Sequence, residues 1–586
     1  MRHSAITIAA FAVLTLPPTT GPAQDGPVQA ELRALAHRVP RFGVSDLPAT
    51  GKVEVGPDRS LTIDDLRGVP LDDNPPALGP PTRAYPAEMT DDCPPDERPY
   101  IARDIAPFRF RYFDCEFNYG GWHNWAMIDY ASAHGFNIVF PYNRKPSDWT
   151  NVPPGTAWLK WGGFVDWGAW LKEHQIPDLR YDRLVDLDLV KALLNAGTFR
   201  HDPEFQVLMV DMEHPWLNPD DLRKQPWYPA NAPEAERLAF ETKWYEGYAL
   251  TYVAPIEAAR REGWKSVGVY GTQPFLRQWW GLEKVVVEPD TYWAWPAFGR
   301  QIQQASDVIY PDVYCFYWSP QNVAYTLTNL DFCRKLAASA PERKPMRPYY
   351  WTLLHGGDAN YHWWSNQPLT NEETRAMFAM CFFTGCEGLV LWNWSDVGSH
   401  QVPREVKEGA DVMVGSRLEA KQEGAAEGAA PVAFERYDAL HVRGVDGQGL
   451  ARFQRIEKEN WGDFGLTDDK PIYVIARDEL IRHLRPSAEP VAAVVEGLAL
   501  AKPFEYLLRH GEVKIDIPAQ EQFAKTLPIV RRVKLGRVHL LATYDPQCVF
   551  GGPPRRIVLD DFDGHEGLTV TLPADSETRL FVLQER

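Results

Sequence analysis

Cysteine is scarce in this chain, with seven in 586 residues at positions 93, 115, 315, 333, 381, 386 and 548, and no CxxC pair. That spacing offers neither a zinc pattern nor the dense framework of a small disulfide-stapled domain. A chain of this length can build its core without staples. Zero to two bridges are therefore expected, with Cys315–Cys333 and Cys381–Cys386 as the candidate pairs. Positive charge is also in short supply: 61 Lys and Arg stand against 79 Asp and Glu, a formal net charge of -18. This argues against a nucleic-acid groove and against an anionic membrane surface, though it leaves room for a local basic patch and does not forbid an anionic polymer. Beyond the N-terminus no apolar run approaches the roughly 18 residues of a membrane span. No GxGxxG follows the first strand, which removes a dinucleotide-binding reading. There is no EF-hand or zincin pattern either, so neither a metal nor any other cofactor is expected.

What is present begins with MRHSAITIAAFAVLTLPPTTG. A short basic start, an apolar stretch from Ile6 to Leu16 and a small-residue site near Ala23 read as a signal peptide over 1–23, so a secreted or periplasmic location is expected. Residues 24–104 are rich in proline and poor in periodicity, and read as an extended arm. From about residue 105 to 405, strand-like and helix-like segments alternate. Strands are expected near 109, 137, 206, 266, 292, 308, 347 and 388, with TYWAW at 291–295 as the fifth and Trp149 to Tyr181 as a long aromatic insertion. Eight such units suit a (β/α)₈ TIM-like barrel within an α/β fold. Residues 406–430 read as a low-complexity linker. The stretch 431–586 holds short β runs suited to an additional C-terminal all-β, sandwich-like domain, with a helical insertion near 475–484.

The chemistry gathers at the expected strand ends. QVLMVDMEHPW (206–216) is a continuous apolar strand running into Asp211 and Glu213. Residues i and i+2 of a strand share a face, so the two carboxylates stand side by side and each raises the other's tendency to hold a proton. A protonated acid beside a charged partner is what glycosidic cleavage needs. Asp114, Glu116, Asp312, Glu387 and Asp396 are placed at the same mouth by the same reading. Tryptophans cluster in these loops, among them Trp216, Trp279, Trp280, Trp293, Trp295, Trp318, Trp363, Trp364, Trp392 and Trp394. Their flat faces suit the C–H faces of sugar rings, and Asn118, His214, Gln273, Asn360 and Asn393 suit the hydroxyls.

Four of these segments, VDMEHPW, GVYGTQP, SDVIYPDVY and GCEGLVLWNWSD, occur in an order that resembles hyaluronidase-like barrel glycoside hydrolases. Asp312 departs from the serine-like residue of that pattern, and Trp216 is displaced behind His214 and Pro215. The resemblance implies Glu213 as general acid/base and Asp211 as the group that orients and polarises a substrate N-acetyl group, which itself attacks the anomeric carbon. It further implies that Tyr270 and Tyr314 hold that group and that Trp392 lines the pocket. For a sugar without a 2-acetamido group, a second carboxylate is required from Asp312, Asp114, Glu116 or Asp396. The expectation is thus an exported glycoside hydrolase acting on a polysaccharide or oligosaccharide. Its alternatives are a non-catalytic glycan-binding or wall-associated barrel and a polysaccharide lyase, the latter disfavoured by the shortage of lysine at strand ends.

Overall fold

The computed structural model describes residues 25–48, 51–76, 104–119, 125–141, 145–148, 152–164, 171–172, 175–177, 179–186, 199–211, 217, 219–271, 296–316 and 319–338. It further describes 342–355, 368–393, 406–415, 417–435, 438–456, 470–484, 490–547, 555–560, 562–563 and 565–585. The expected signal peptide lies outside them. No helix among the described residues is long and apolar enough to cross a membrane.

Eight parallel strands form the central sheet. They are β1 Asp114–Tyr119, β2 Ile138–Val139, β3 Ala157–Phe164, β4 Val207–Asp211, β5 Ser266–Tyr270, β6 Val308–Tyr310, β7 Tyr349–Tyr350 and β8 Gly388–Asn393. Their order is β6-β5-β4-β3-β2-β1-β8-β7. Parallel bridges Ile309–Met346 and Asp312–Tyr349 bring the two ends together, so the sheet is a nearly closed barrel.

Side-chain alternation explains why these segments close. Val207 and Met209 of β4 pack with Leu159, Val308 and Val390 in the barrel interior. Leu208 and Val210, on the opposite parity, pack outward with Val267, Val269 and residues of the helix Glu234–Arg261. Strands apolar on both faces are what a barrel wrapped by helices demands. The helix Asn371–Cys381 is capped by Thr370, which forms a reciprocal capping box with Glu373.

Several expectations need correction. The first strand begins at Asp114, not near 109. The third lies inside the stretch read as an aromatic insertion: AWLKWGGF is β3, pairing with β2 and β4. TYWAW lies outside the described residues, and the eight strands are complete without it. The proline-rich arm contains the helix Asp25–Arg38. It also supplies Val44–Leu47, which runs parallel to Arg579–Glu585, and Lys52–Val55, parallel to Gly567–Leu572. These pairings place N-terminal segments in two C-terminal sheets, which face each other across Leu47, Val55, Leu541, Leu568 and Phe581. The low-complexity stretch is a hairpin in which Leu418 pairs with Phe434 and Ala420 with Val432. It belongs to a separate six-stranded sheet with its own core around Leu440, Phe434 and Phe453. The helical insertion is present as Arg477–His483. Cys115, Cys315, Cys333, Cys381 and Cys386 are buried free thiols, so neither candidate bridge forms. Cys93 and Cys548 lie outside the described residues.

Candidate active site at the barrel mouth

Strand parity selects which side chains enter the barrel. In β4 the interior positions are Val207 and Met209, and Asp211, the last residue of the strand, continues that parity. Tyr270 ends β5 on the same parity, and Tyr314, Trp351 and Trp392 join it in the interior cluster above β6, β7 and β8.

These groups make a cup of rings. Tyr314 lies 5.7 Å from Trp392 and 5.5 Å from His355, near-parallel to both. Trp351 meets Trp392 edge-on at 4.8 Å. Tyr270 packs 6.0 Å from Tyr314 and 5.0 Å from Tyr349. Asn118 Nδ2, on β1, approaches the Tyr349 hydroxyl at 3.5 Å.

Asp211 reaches this cup electrostatically. Burial holds the Tyr314 hydroxyl well above the ordinary phenol range; a hydrogen bond with Tyr270 opposes the shift, and the charges of Asp312 and Asp211 add to it. Burial likewise raises Tyr349, with Glu116 and Asp211 adding and Asn118 opposing. Burial thus favours the neutral, donor form of Tyr314 and Tyr349. Asp211, Asp312, Asn118, Tyr270, Tyr314 and Trp392 are thus brought to one end of the barrel. Tyr349, Trp351 and His355 belong with them and were missed from the sequence. Their signal was the alternation in PYYWTLLH, whose inward parity carries Tyr349, Trp351 and Leu353.

Other candidates are elsewhere. Asp114 is the first residue of β1, at the opposite end of the barrel from the mouth; Glu116 is in mid-strand, paired with Val390, which is itself paired with Tyr349. Glu116 is fully buried, bonded by Tyr310 and Arg347, each at 2.7 Å, while Arg347 also pairs with Asp114. Burial pushes Glu116 above the ordinary carboxylate range, against the pull of Arg347 and Tyr310. The expectation of a mouth position thus fails for Asp114, because β1 starts at Asp114 and not near 109, and Glu116 lies in the barrel interior below the mouth. Glu387 precedes β8 and pairs with Arg343 and Arg509 outside the barrel interior. Glu213, His214, Trp216, Gln273, Trp318, Trp394 and Asp396 lie outside the described residues, as do Trp279, Trp280, Trp293, Trp295, Asn360, Trp363 and Trp364.

A metal-like donor grouping, His539, Asp563 and Glu585, occurs in a C-terminal sheet. Its carboxylates are already neutralised: Lys534 reaches Asp563 at 2.9 Å and Glu585 at 2.7 Å, and Arg532 reaches Asp563 at 3.0 Å. Two fixed cations at those oxygens make this an ion-pair network that does not fit a metal.

No family model matches the chain, and no curated protein matches it by sequence. Among solved structures, bee venom hyaluronidase in complex with a hyaluronic acid tetramer is similar at 16% identity, over 34% of this chain and 64% of that one, with a TM-score of 0.25. The match thus spans less than two thirds of the hyaluronidase. An endo-1,4-β-D-mannanase from Thermotoga petrophila is similar at 12% identity over 48% of this chain and 88% of that one, TM-score 0.28. An α-L-fucosidase from Paenibacillus thiaminolyticus is similar at 8% identity over 81% and 100%, TM-score 0.33. The barrel itself rests on the strand order and the two closing bridges.

Proposed function

We propose that this chain is an exported glycoside hydrolase whose substrate enters the C-terminal mouth of the barrel. The observation that carries the reading is Asp211. It ends β4 on the interior parity, and its charge is felt by Tyr314 and Tyr349 within a cup walled by Trp351 and Trp392. A carboxylate among neutral phenol donors and indole faces suits a sugar ring: the rings cover its C–H face, and the polar groups meet its hydroxyls or amide.

In the route proposed, Glu213 gives its proton to the glycosidic oxygen as the bond from that oxygen to the anomeric carbon breaks. The carbonyl oxygen of a 2-acetamido group bonds to that carbon, and Asp211 accepts the amide N–H and offsets the charge of the cyclic cation. Tyr270 and Tyr314 orient the acetamido group. Glu213, now a carboxylate, takes a proton from water as the water oxygen adds to the anomeric carbon and the cycle reopens. A sugar lacking the acetamido group needs a second carboxylate. Asp312, buried and close enough to act on Tyr314, is then the candidate beside Asp396, since Asp114 sits at the far end and Glu116 is engaged by Tyr310 and Arg347.

The test is a reducing-end assay of wild type and Glu213→Gln against polysaccharides with and without 2-acetamido sugars. Activity confined to the acetamido panel, lost in the variant while sugar binding persists, supports the full route. Activity on the other panel transfers the role to a second carboxylate, Asp312 or Asp396. Sugar binding with no wild-type hydrolysis on either panel would leave a glycan-binding barrel instead.

A further inference from the structure

A second cavity, about 350 Å³, opens at the other end of the barrel, where chain enters β1, β7 and β8. Its chemistry is the reverse of the molecule's. In a chain of net charge -18, four cations line it from different elements: Arg334 from the helix Asn322–Ala338, Arg343 and Lys344 from the segment before β7, and Arg509 from the helix Glu505–His510. Among the described residues only two carboxylates line the cavity with them. Glu387 is shared by Arg343 and Arg509, and Glu512 is already paired with Lys514 at 2.7 Å.

Two cations remain poorly matched. Lys344 sits 3.7 Å from Glu342, whose carboxylate is 83% exposed, while Lys344 itself is mostly covered. Among the described residues, Arg334 is engaged by no carboxylate and its buried Nε has no hydrogen-bond partner. A desolvated guanidinium N–H left unpaired is costly, and such groups in native proteins call for a partner. Phe113 and Met346 floor the cavity with apolar surface, which lowers the local dielectric and strengthens any charge pairing.

The geometry points to an oxyanion site: a phosphate or sulfate group, free or carried on a small organic molecule, held by Arg334 and Lys344. Cations converging from separate elements suit a tetrahedral dianion, with Arg334 offering charge-assisted N–H donors. The competing role for Arg334 is to offset the C-terminal dipole of its helix, and that role is indifferent to phosphate.

Calorimetric titration of the full-length protein with inorganic phosphate, sulfate and glucose 6-phosphate, at fixed ionic strength, decides between them. The expected result is saturable binding at millimolar concentration or below, weakened about tenfold or more by Arg334→Met and again by Lys344→Met. Tighter binding of glucose 6-phosphate than of phosphate assigns the site to an organic phosphate; equal binding assigns it to the free anion. Absence of saturable binding by all three anions, or binding unchanged in the variants, would overturn the assignment. Should Arg334→Met not fold, Lys344→Met carries the same test.

Discussion

The Tyr310 hydroxyl donates to Glu116 Oε1 at 2.7 Å inside the barrel, on the side away from the mouth. Arg347 Nη1 reaches the same oxygen at 2.7 Å. A charged, hydrogen-bonded layer thus replaces apolar packing in that part of the barrel interior. Tyr310 meets Tyr349 edge-on at 5.6 Å, and Tyr349 meets Tyr270 at the mouth. The buried layer and the candidate site are stacked in one column.

Breaking that layer from the cationic side should be severe. Arg347→Met leaves Glu116 buried without its counter-ion, a change of about 3–5 kcal/mol in stability. Urea unfolding should show it, and the double variant Arg347→Met/Glu116→Gln should recover part of the loss. A single-variant cost below about 1 kcal/mol would mean that Glu116 is neutral without Arg347.

Gly268 on β5 is the space that Tyr310 occupies. A Cβ there would fall inside the van der Waals surface of the Tyr310 ring and crowd the Val308 carbonyl oxygen at 3.0 Å. Gly268→Ala should therefore cost about 1–3 kcal/mol by overpacking. Gly268→Ala/Tyr310→Phe should not relieve it, because the ring and not the hydroxyl is the obstacle. Thermal unfolding of both variants measures this.

How far the sequence foretold these relations depended on the local signal. β4 and β8 were legible because VLMV and GLVLW are apolar on both faces, which only a covered parallel strand explains. β3 was hidden because Lys160 and the paired glycines Gly162 and Gly163 interrupt its apolar pattern. The helix Pro490–Ala501 was missed for the opposite reason: PVAAVVEGLALA is apolar on all sides and has no amphipathic period. Gly497 lies so close to Phe378 and the Arg375 carbonyl that a side chain would not fit, and Arg67 and Arg375 both bond Glu496. Pairings between chain ends, such as Val44 with Val582, leave no local trace at all. At the site, Asp211 was legible from its strand. Asp114 was not, because β1 starts several residues later than its apolar pattern suggests, which moves that acid to the other end of the barrel and leaves Glu116 in mid-strand.

Asp211→Asn tests the proposed role of the mouth carboxylate directly. If Asp211 stabilises charge that develops only in the transition state, kcat should fall about 100- to 1000-fold with KM little changed. The side chain stays isosteric, so thermal stability should move little. A rise in KM at constant kcat would reduce Asp211 to ground-state binding.

Arg531, fully buried in the strand Ile529–Leu535, donates to Asp331 of the barrel helix Asn322–Ala338 at 2.8 Å. Removing the carboxylate strands a buried cation, so Asp331→Leu should cost about 3–5 kcal/mol. Arg531→Met/Asp331→Leu should be markedly more stable than the single variant. Calorimetry should also show the barrel and the C-terminal sheet melting further apart in the single variant, if this pair couples them.

Glu31 links pH to the docking of the N-terminal helix Asp25–Arg38. Its Oε1 accepts the backbone N–H of Tyr506 at 2.9 Å. Burial pushes its carboxyl from the ordinary 4.5 up to about 7, with Glu505 adding, and Lys502 and the Tyr506 and Leu507 amides opposing. Between those two values the folded chain keeps a proton that the unfolded chain has released. The stability contributed by the protonated form is therefore fully present below about pH 4.5, and it is lost progressively as pH rises through about 7. The loss should be on the order of 1–3 kcal/mol. Glu31→Gln should flatten this part of the profile, because the amide keeps the acceptor without the charge. Hydrogen exchange compared at one pH above 7 should find residues 25–38 more protected in Glu31→Gln than in wild type. Equal protection of the two proteins at that pH would show that the helix docks without regard to the ionisation of Glu31.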